Sequence, residues 1–99
     1  MARFDVYAQA DSPVLLLDCQ ADLLEALATR LVVPLMRPRD ERPAFARLNP
    51  VFDVNGERLE MITQGAASIS KRALTRRVCS LASEQAAIMN AFDLLLTGY

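Results

Sequence analysis

Histidine is absent from the 99 residues. That removes the imidazole base of Ser-His-Asp and Cys-His nucleophile pairs, and with it every histidine-based metal site. The two cysteines, Cys19 and Cys79, are too few and too far apart for a disulfide framework or a zinc site. Both lie in apolar surroundings and read as small buried hydrophobes, with a reactive thiol as the alternative. The three glycines, Gly56, Gly65 and Gly98, are scattered, so there is no glycine-rich phosphate loop. Acid–base catalysis usually needs a carboxylate whose surroundings raise its pKa. Asp18 and Asp22 fall near a strand end and Asp93 on the last helix, where each reads as a solvated or capping acid. Composition leaves an Arg/Asp/Thr ribonuclease site open. Apart from that, the residues describe a protein that acts by binding, not an enzyme, with no cofactor and no metal.

The element that must present such a binding surface is the stretch of residues 83–99 (SEQAAIMNAFDLLLTGY). Ser83 and Glu84 predict a helix start, since a serine oxygen caps a free N–H and an acid favours the first turn. No proline or glycine interrupts the run until Gly98. Ile88, Ala91, Phe92, Leu95 and Tyr99 form one stripe, widened by Met89 and Leu96 on one side and Ala87 and Leu94 on the other. Only Asn90, Asp93 and Thr97 share a polar face, so the apolar arc spans roughly 240°, against the ~100° that one covered sheet requires. The excess predicts a second surface: a twin subunit, a partner, or both.

Ahead of that helix the periodicity is that of strands. Arg3 to Tyr7 alternates, Phe4 and Val6 against Arg3, Asp5 and Tyr7, as in a half-buried strand. Asp11-Ser12-Pro13 is a turn signal, and residues 14–17 form an apolar run suited to a strand covered on both faces. Residues 21–30 (ADLLEALATR) have helical propensity but are short and flanked by strand-like runs, so a bend or hairpin loop remains open. Residues 31–35 return to strand, with Pro34 placing its end at an edge or bulge. Residues 36–43 (MRPRDERP) are a loop. Asn55-Gly56 then predicts a type I′ hairpin in which Val54 faces Glu57, Asp53 faces Arg58, Phe52 faces Leu59 and Val51 faces Glu60. Residues 66–74 are a weaker strand candidate, and Lys71, Arg72, Arg76 and Arg77 form a basic run before the C-terminal helix.

Strands first and a helix last give an α+β domain, mainly antiparallel β, closed by one C-terminal helix. Residues 1–99 suffice for a single domain with a real core. With 53% hydrophobic residues and no apolar run near ~20 residues, a folded cytoplasmic protein without a membrane span is expected. Charge is uneven: residues 37–77 hold nine basic groups against five acids, although the whole chain is −1. A basic middle suits an acidic partner segment or a phosphate backbone, and equally a solvated loop.

Residues 18–35 (DCQADLLEALATRLVVPL) resemble the signature of the CcdB toxins of toxin–antitoxin modules, "DVQSDLL…TRLVIPL". Phe4-Asp5-Val6-Tyr7 is similar to the family's first strand, Leu48-Asn49-Pro50-Val51-Phe52 to its fourth, and Met61-Ile62-Thr63-Gln64 to the next. Asn90-Ala91-Phe92-Asp93-Leu94-Leu95 resembles the terminal helix, so the likeness runs along essentially the whole chain. It implies an SH3-like barrel of the CcdB/Kid/MazF type and a homodimer. It further implies a toxin that binds the DNA gyrase A subunit and traps the gyrase–cleaved-DNA complex, and that a CcdA-type antitoxin neutralises. DNA would be met only through the antitoxin complex. Carried over by position, the gyrase-binding set is Leu23, Leu24, Asp93, Leu96, Thr97, Gly98 and Tyr99; no antitoxin-binding residue is assigned.

Two departures stand out. The family's best-known member has Trp-Gly-Ile where this chain has Thr97-Gly98-Tyr99, and a threonine cannot stack on an arginine as tryptophan does. Tyr99 offers an aromatic face from the neighbouring position. That member also has two acids where Arg76 and Arg77 stand. The alternatives are a non-toxic or retargeted homologue acting by antitoxin binding, and an mRNA-cleaving toxin of the same fold.

Overall fold

Residues 1–39 and 45–99 are described by a computed structural model. Among them the strands are β1 (Asp5–Gln9), β2 (Leu15–Asp18), β3 (Thr29–Met36), β4 (Val51–Val54), β5 (Glu57–Met61), β6 (Ala67–Ser70) and β7 (Leu74–Ser80), and helix α1 (Gln85–Thr97) follows them. All pairings are antiparallel, in the order β4-β5-β3-β2-β1-β7, with β6 also on β3. The curled sheet with one closing helix is the expected α+β arrangement.

The β4–β5 hairpin has the expected register, Val54 on Glu57 through Val51 on Glu60. Its turn residues Asn55 and Gly56 have φ of 51° and 89°, as a type I′ turn demands. Phe52, Val54, Leu59 and Met61 are all buried on one face. The opposite-charge pair across the other face does not bridge: Asp53 Oδ1 instead accepts from the Gly56 N–H at 2.6 Å.

Strand β3 has two successive partners on one side, β6 at Thr29 to Val32 and β5 at Leu35 and Met36. Pro34 sits in the gap between them. Lacking an N–H, it disrupts neither ladder there, while its carbonyl accepts from Ile62 N at 3.0 Å. The loop expected over residues 36–43 lies partly outside the described residues.

Two expectations change, and one reading left open is decided. The first strand begins at Asp5, because Phe4 adopts a left-handed φ of 69° that breaks the alternation. Asp5 and Tyr7 are buried too, since β1 lies between β2 and β7 and Arg77 covers the Asp5 carboxylate at 3.1 Å. The ambiguous residues 21–30 form no α-helix: Asp22–Leu24 makes one 3-10 turn, and β3 starts at Thr29. Antiparallel pairing of β2 with β3, Asp18 opposite Val32, overrides the local preference.

The second change concerns the helix start. α1 begins at Gln85, and Ala82–Glu84 is a 3-10 turn whose first amide is held by Ser80 Oγ, so Ser83 is no cap. Ile88, Ala91 and Phe92 project into the core with Phe4, Val6, Leu17, Val33, Leu35 and the hairpin residues.

Candidate functional site

The last turn of α1 stands clear of that core. Leu95 is 40% exposed, Leu96 76% and Tyr99 82%, and Asp93, Thr97 and Gly98 are exposed as well. Gly98 ends the helix in the left-handed conformation, φ 80°, and its N–H donates to Leu94 O at 3.0 Å. Such a cap suits glycine because any Cβ is strained there. Thr97 Oγ1 donates to Asp93 O at 2.6 Å. Helical spacing therefore gathers Asp93, Leu96, Thr97, Gly98 and Tyr99 at one end.

Leu23 and Leu24 lie on the 3-10 turn, Leu23 at 92% exposure and Leu24 at 46%. Core packing is thereby excluded for Leu23. The turn is pinned from several sides. Leu24 N–H donates to Ala21 O (2.9 Å) and Glu25 N–H to Asp22 O (3.1 Å). Gln20 Nε2 donates to Leu24 O (3.0 Å) while its Oε1 accepts from Leu31 N (3.1 Å). Among the described residues, no hydrogen bond or ion pair joins Leu23 or Leu24 to the last turn of α1 within one protomer. The link that exists runs from Asp22 and Cys19 through Arg3 to Met89, in the first half of the helix.

Beneath the turn, Asp18 and Arg30 form an ion pair with both side chains wholly buried. Arg30 Nε donates to Asp18 Oδ2 at 3.0 Å, Nη2 to the same oxygen, and Asp18 Oδ1 accepts from Gln20 N at 3.2 Å. The solvated role expected for Asp18 is thus corrected: β2 is an inner strand of the sheet, and the buried carboxylate is paired with Arg30 on β3. Arg30 was not singled out from sequence, though an Asp and an Arg closing two neighbouring apolar runs is the signal that could have found the pair. Asp22 caps no helix end; its Oδ1 instead accepts from the distant Arg3 N–H at 2.8 Å.

The thiols are not poised for chemistry. Burial, then the Asp18 charge, pushes Cys19 up to about 12, and burial foremost raises Cys79. Both changes disfavour the thiolate that a nucleophile or metal ligand needs. Tyr7 is likewise raised, mainly by burial and then by the Asp5 charge. Its hydroxyl donates to Asp5 Oδ2 at 3.5 Å, beside the half-exposed Arg77. Lys71, Arg72, Arg76 and Arg77 are exposed along β7 and the turn before it. A groove of about 430 Å³ lies between β2, β3 and β5, and none of the seven expected site residues lines it. Among the described residues no three carboxylate or thiol groups gather as metal ligands, and no helix is long and apolar enough to cross a membrane.

This curled sheet and closing helix define a toxin fold of the MazF type. The structure is similar to toxin MazF-mt6 of Mycobacterium tuberculosis, with a TM-score of 0.74 and 21% identity over 92% of this chain and 93% of that one. The family model described as CcdB protein matches residues 3–98. The chain belongs to the CcdB family, toxins of toxin–antitoxin systems that work opposite an antitoxin partner.

Proposed function

We infer that this toxin acts in the cytoplasm as a homodimer that binds the DNA gyrase A subunit and traps the gyrase–cleaved-DNA complex, blocking replication and transcription. No bond is made or broken by the toxin. A ligand that binds one state of an enzyme better than the others shifts the population toward it. Moving a 1:99 mixture to 99:1 takes a preference of about 5.5 kcal/mol, within reach of a paired apolar surface.

The observation that carries this reading is the exposed end of α1, where Leu96 and Tyr99 are open to solvent although Ile88, Ala91 and Phe92 already close the core. Leu23, at 92% exposure on a pinned turn, supplies a second apolar contact. Asp93, Thr97 and Gly98 complete the surface, and Leu24 flanks Leu23. Tyr99 provides the aromatic face that tryptophan supplies in the best-known member. The CcdA-type antitoxin would meet an exposed basic surface at Lys71, Arg72, Arg76 and Arg77, which suits an acidic disordered segment.

The test is regulated overproduction in a gyrase-sensitive strain and an isogenic strain resistant in the A-subunit dimerisation region. Growth arrest confined to the sensitive strain is expected, and loss of arrest on deleting residues 97–99. Intact growth in both strains would favour a non-toxic homologue kept for antitoxin binding. A second reading, mRNA cleavage, rests on the Arg77–Asp5–Tyr7 cluster, where a part-exposed cation meets a buried carboxylate and a phenol. Arrest in both strains with cleaved transcripts would favour it.

A further inference from the structure

We propose that Arg3 is a positioning residue that straps the Leu23–Leu24 turn to helix α1, so that the turn and the helix meet one target as a single rigid surface. The proposal rests on the reading of Leu23 and the helix end as parts of one binding surface, and it adds the device that fixes their relation.

Phe4 supplies the first observation. A bulky residue at φ 69° is a genuine outlier, yet Phe4 is 3% exposed and held on both sides. Its N–H donates to Asp18 O at 2.6 Å, and its carbonyl accepts from Leu81 N at 2.8 Å. Strain of this kind persists only where surrounding contacts over-determine it, and it collects at binding and switching sites. Its effect here is to turn Arg3 out of the strand direction and lay the guanidinium over the Phe4 ring, 4.7 Å from its centroid.

The guanidinium then reaches two elements. Nε donates to Cys19 O at 3.2 Å, at the start of the turn segment, and Nη2 meets Met89 Sδ at 3.3 Å on α1. The Arg3 backbone N–H donates to Asp22 Oδ1 at 2.8 Å, on the turn itself. One residue thus ties the turn at two points and the helix at a third. A planar fork can serve two acceptors at fixed directions, which a lysine ammonium cannot reproduce from the same position. Without the guanidinium the turn retains the Gln20 clamp and the Arg3 N–H bond to Asp22, but no described hydrogen bond ties it to the helix, and its local bonds open more readily.

The experiment uses full-length Arg3→Ala, Arg3→Lys and Met89→Leu, the last a volume-conserving change that removes only the sulfur acceptor. Amide exchange is read at Leu24, Glu25 and Leu27, whose N–H groups close the turn, and at β3–β5 as the control. Exchange about tenfold faster at the three turn amides, with β3–β5 unchanged, is expected for both Arg3 variants. Met89→Leu should shift in the same direction by less. Turn amides at wild-type rates, or uniform acceleration that includes β3–β5, would overturn the strap.

A second arm measures binding to a gyrase A fragment. Arg3→Ala should bind about tenfold more weakly, and Arg3→Ala/Leu23→Ala no more weakly than Leu23→Ala alone. Additive losses would overturn the coupling. If the wild-type protein does not bind the fragment at all, the gyrase reading falls while the exchange arm still decides the strap.

Discussion

Replacing Asp18 with asparagine tests what the buried ion pair does. The substitution is isosteric, so no cavity forms and the packing contribution is close to nil. Asp18 is wholly buried, accepts from Arg30 through Oδ2 and from Gln20 N through Oδ1. An amide retains one acceptor and turns the other into a donor, which must then face either the guanidinium or the Gln20 N–H. Arg30 is left as an uncompensated charge at zero exposure, and its Nη1 already has no hydrogen-bond partner among the described residues. Breaking such a pair from one side costs about 3–5 kcal/mol. A domain of this size has a total stability of ~5–15 kcal/mol, so the variant is expected to be barely folded or partly unfolded. At a typical slope of ~1.5 kcal/mol per molar urea, the midpoint falls by about 2–3 M. Urea titrations of both proteins at one protomer concentration check it, since association shifts apparent stability. Asp18→Leu/Arg30→Met completes the cycle and should recover most of the loss, because removing both charges leaves neither stranded. A single-variant loss under ~1 kcal/mol would refute the reasoning, since it would mean that water reaches Arg30.

The remaining predictions concern one thiol and one glycine. The folded Cys19 thiol holds its proton up to about 12, whereas the unfolded chain releases it near 9. Its contribution is therefore fully present below pH 9 and is lost as pH rises toward 12, at about 1.4 kcal/mol per pH unit. Stability measured by urea between pH 9 and 10 should decline less steeply in Cys19→Ala than in the wild-type protein. Gly98→Ala meets no atom within 4 Å, so only its φ of 80° is strained, costing ~1 kcal/mol. The expected result is lost protection of the amide at position 98, which donates to Leu94 O at 3.0 Å, with an unchanged core, followed by amide exchange.

How much of this was legible in the sequence depended on how local the determining physics was. The β4–β5 hairpin was readable down to its register because Asn55-Gly56 and the alternating apolar residues are within ten positions of one another. The core half of α1 was readable for the same reason. Strand β7 was not: register shifts against β1 between Val6 and Tyr7 and between Ala8 and Gln9 break its period-two pattern. Arg76 and Arg77 within it, and Lys71 and Arg72 just before it, then make a strand look like a solvated loop. The burial of Asp18 was hidden because its partner is twelve residues away on the next strand, and nothing local marks a carboxylate as paired. Arg3 was hidden too, because its role follows from a left-handed Phe4 that no propensity would place inside a strand-like run. Of the proposed surface, the types and spacing were readable, and the exposure of Leu23 was not.

The over-wide apolar arc of α1 and the exposed Leu95, Leu96 and Tyr99 are the same fact seen at two levels. A helix of 13 residues is ~20 Å long, and its first half already completes the core through Ile88, Ala91 and Phe92. Past Phe92 the helix adds little to the protomer core, since Leu94 is only half-buried and Leu95 and Leu96 are exposed. Burying each of those side chains elsewhere is worth ~1.5–3 kcal/mol relative to leaving it exposed, so association is favoured wherever a complementary apolar surface exists. Rigidity decides how much of that gain survives as affinity, because ordering a loose segment on binding consumes it. Here the helix end is stopped by Gly98 and the Leu23 turn is held by Gln20, Asp22 and Arg3. Both exposed apolar residues are therefore presented already ordered, as the proposed binding surface requires.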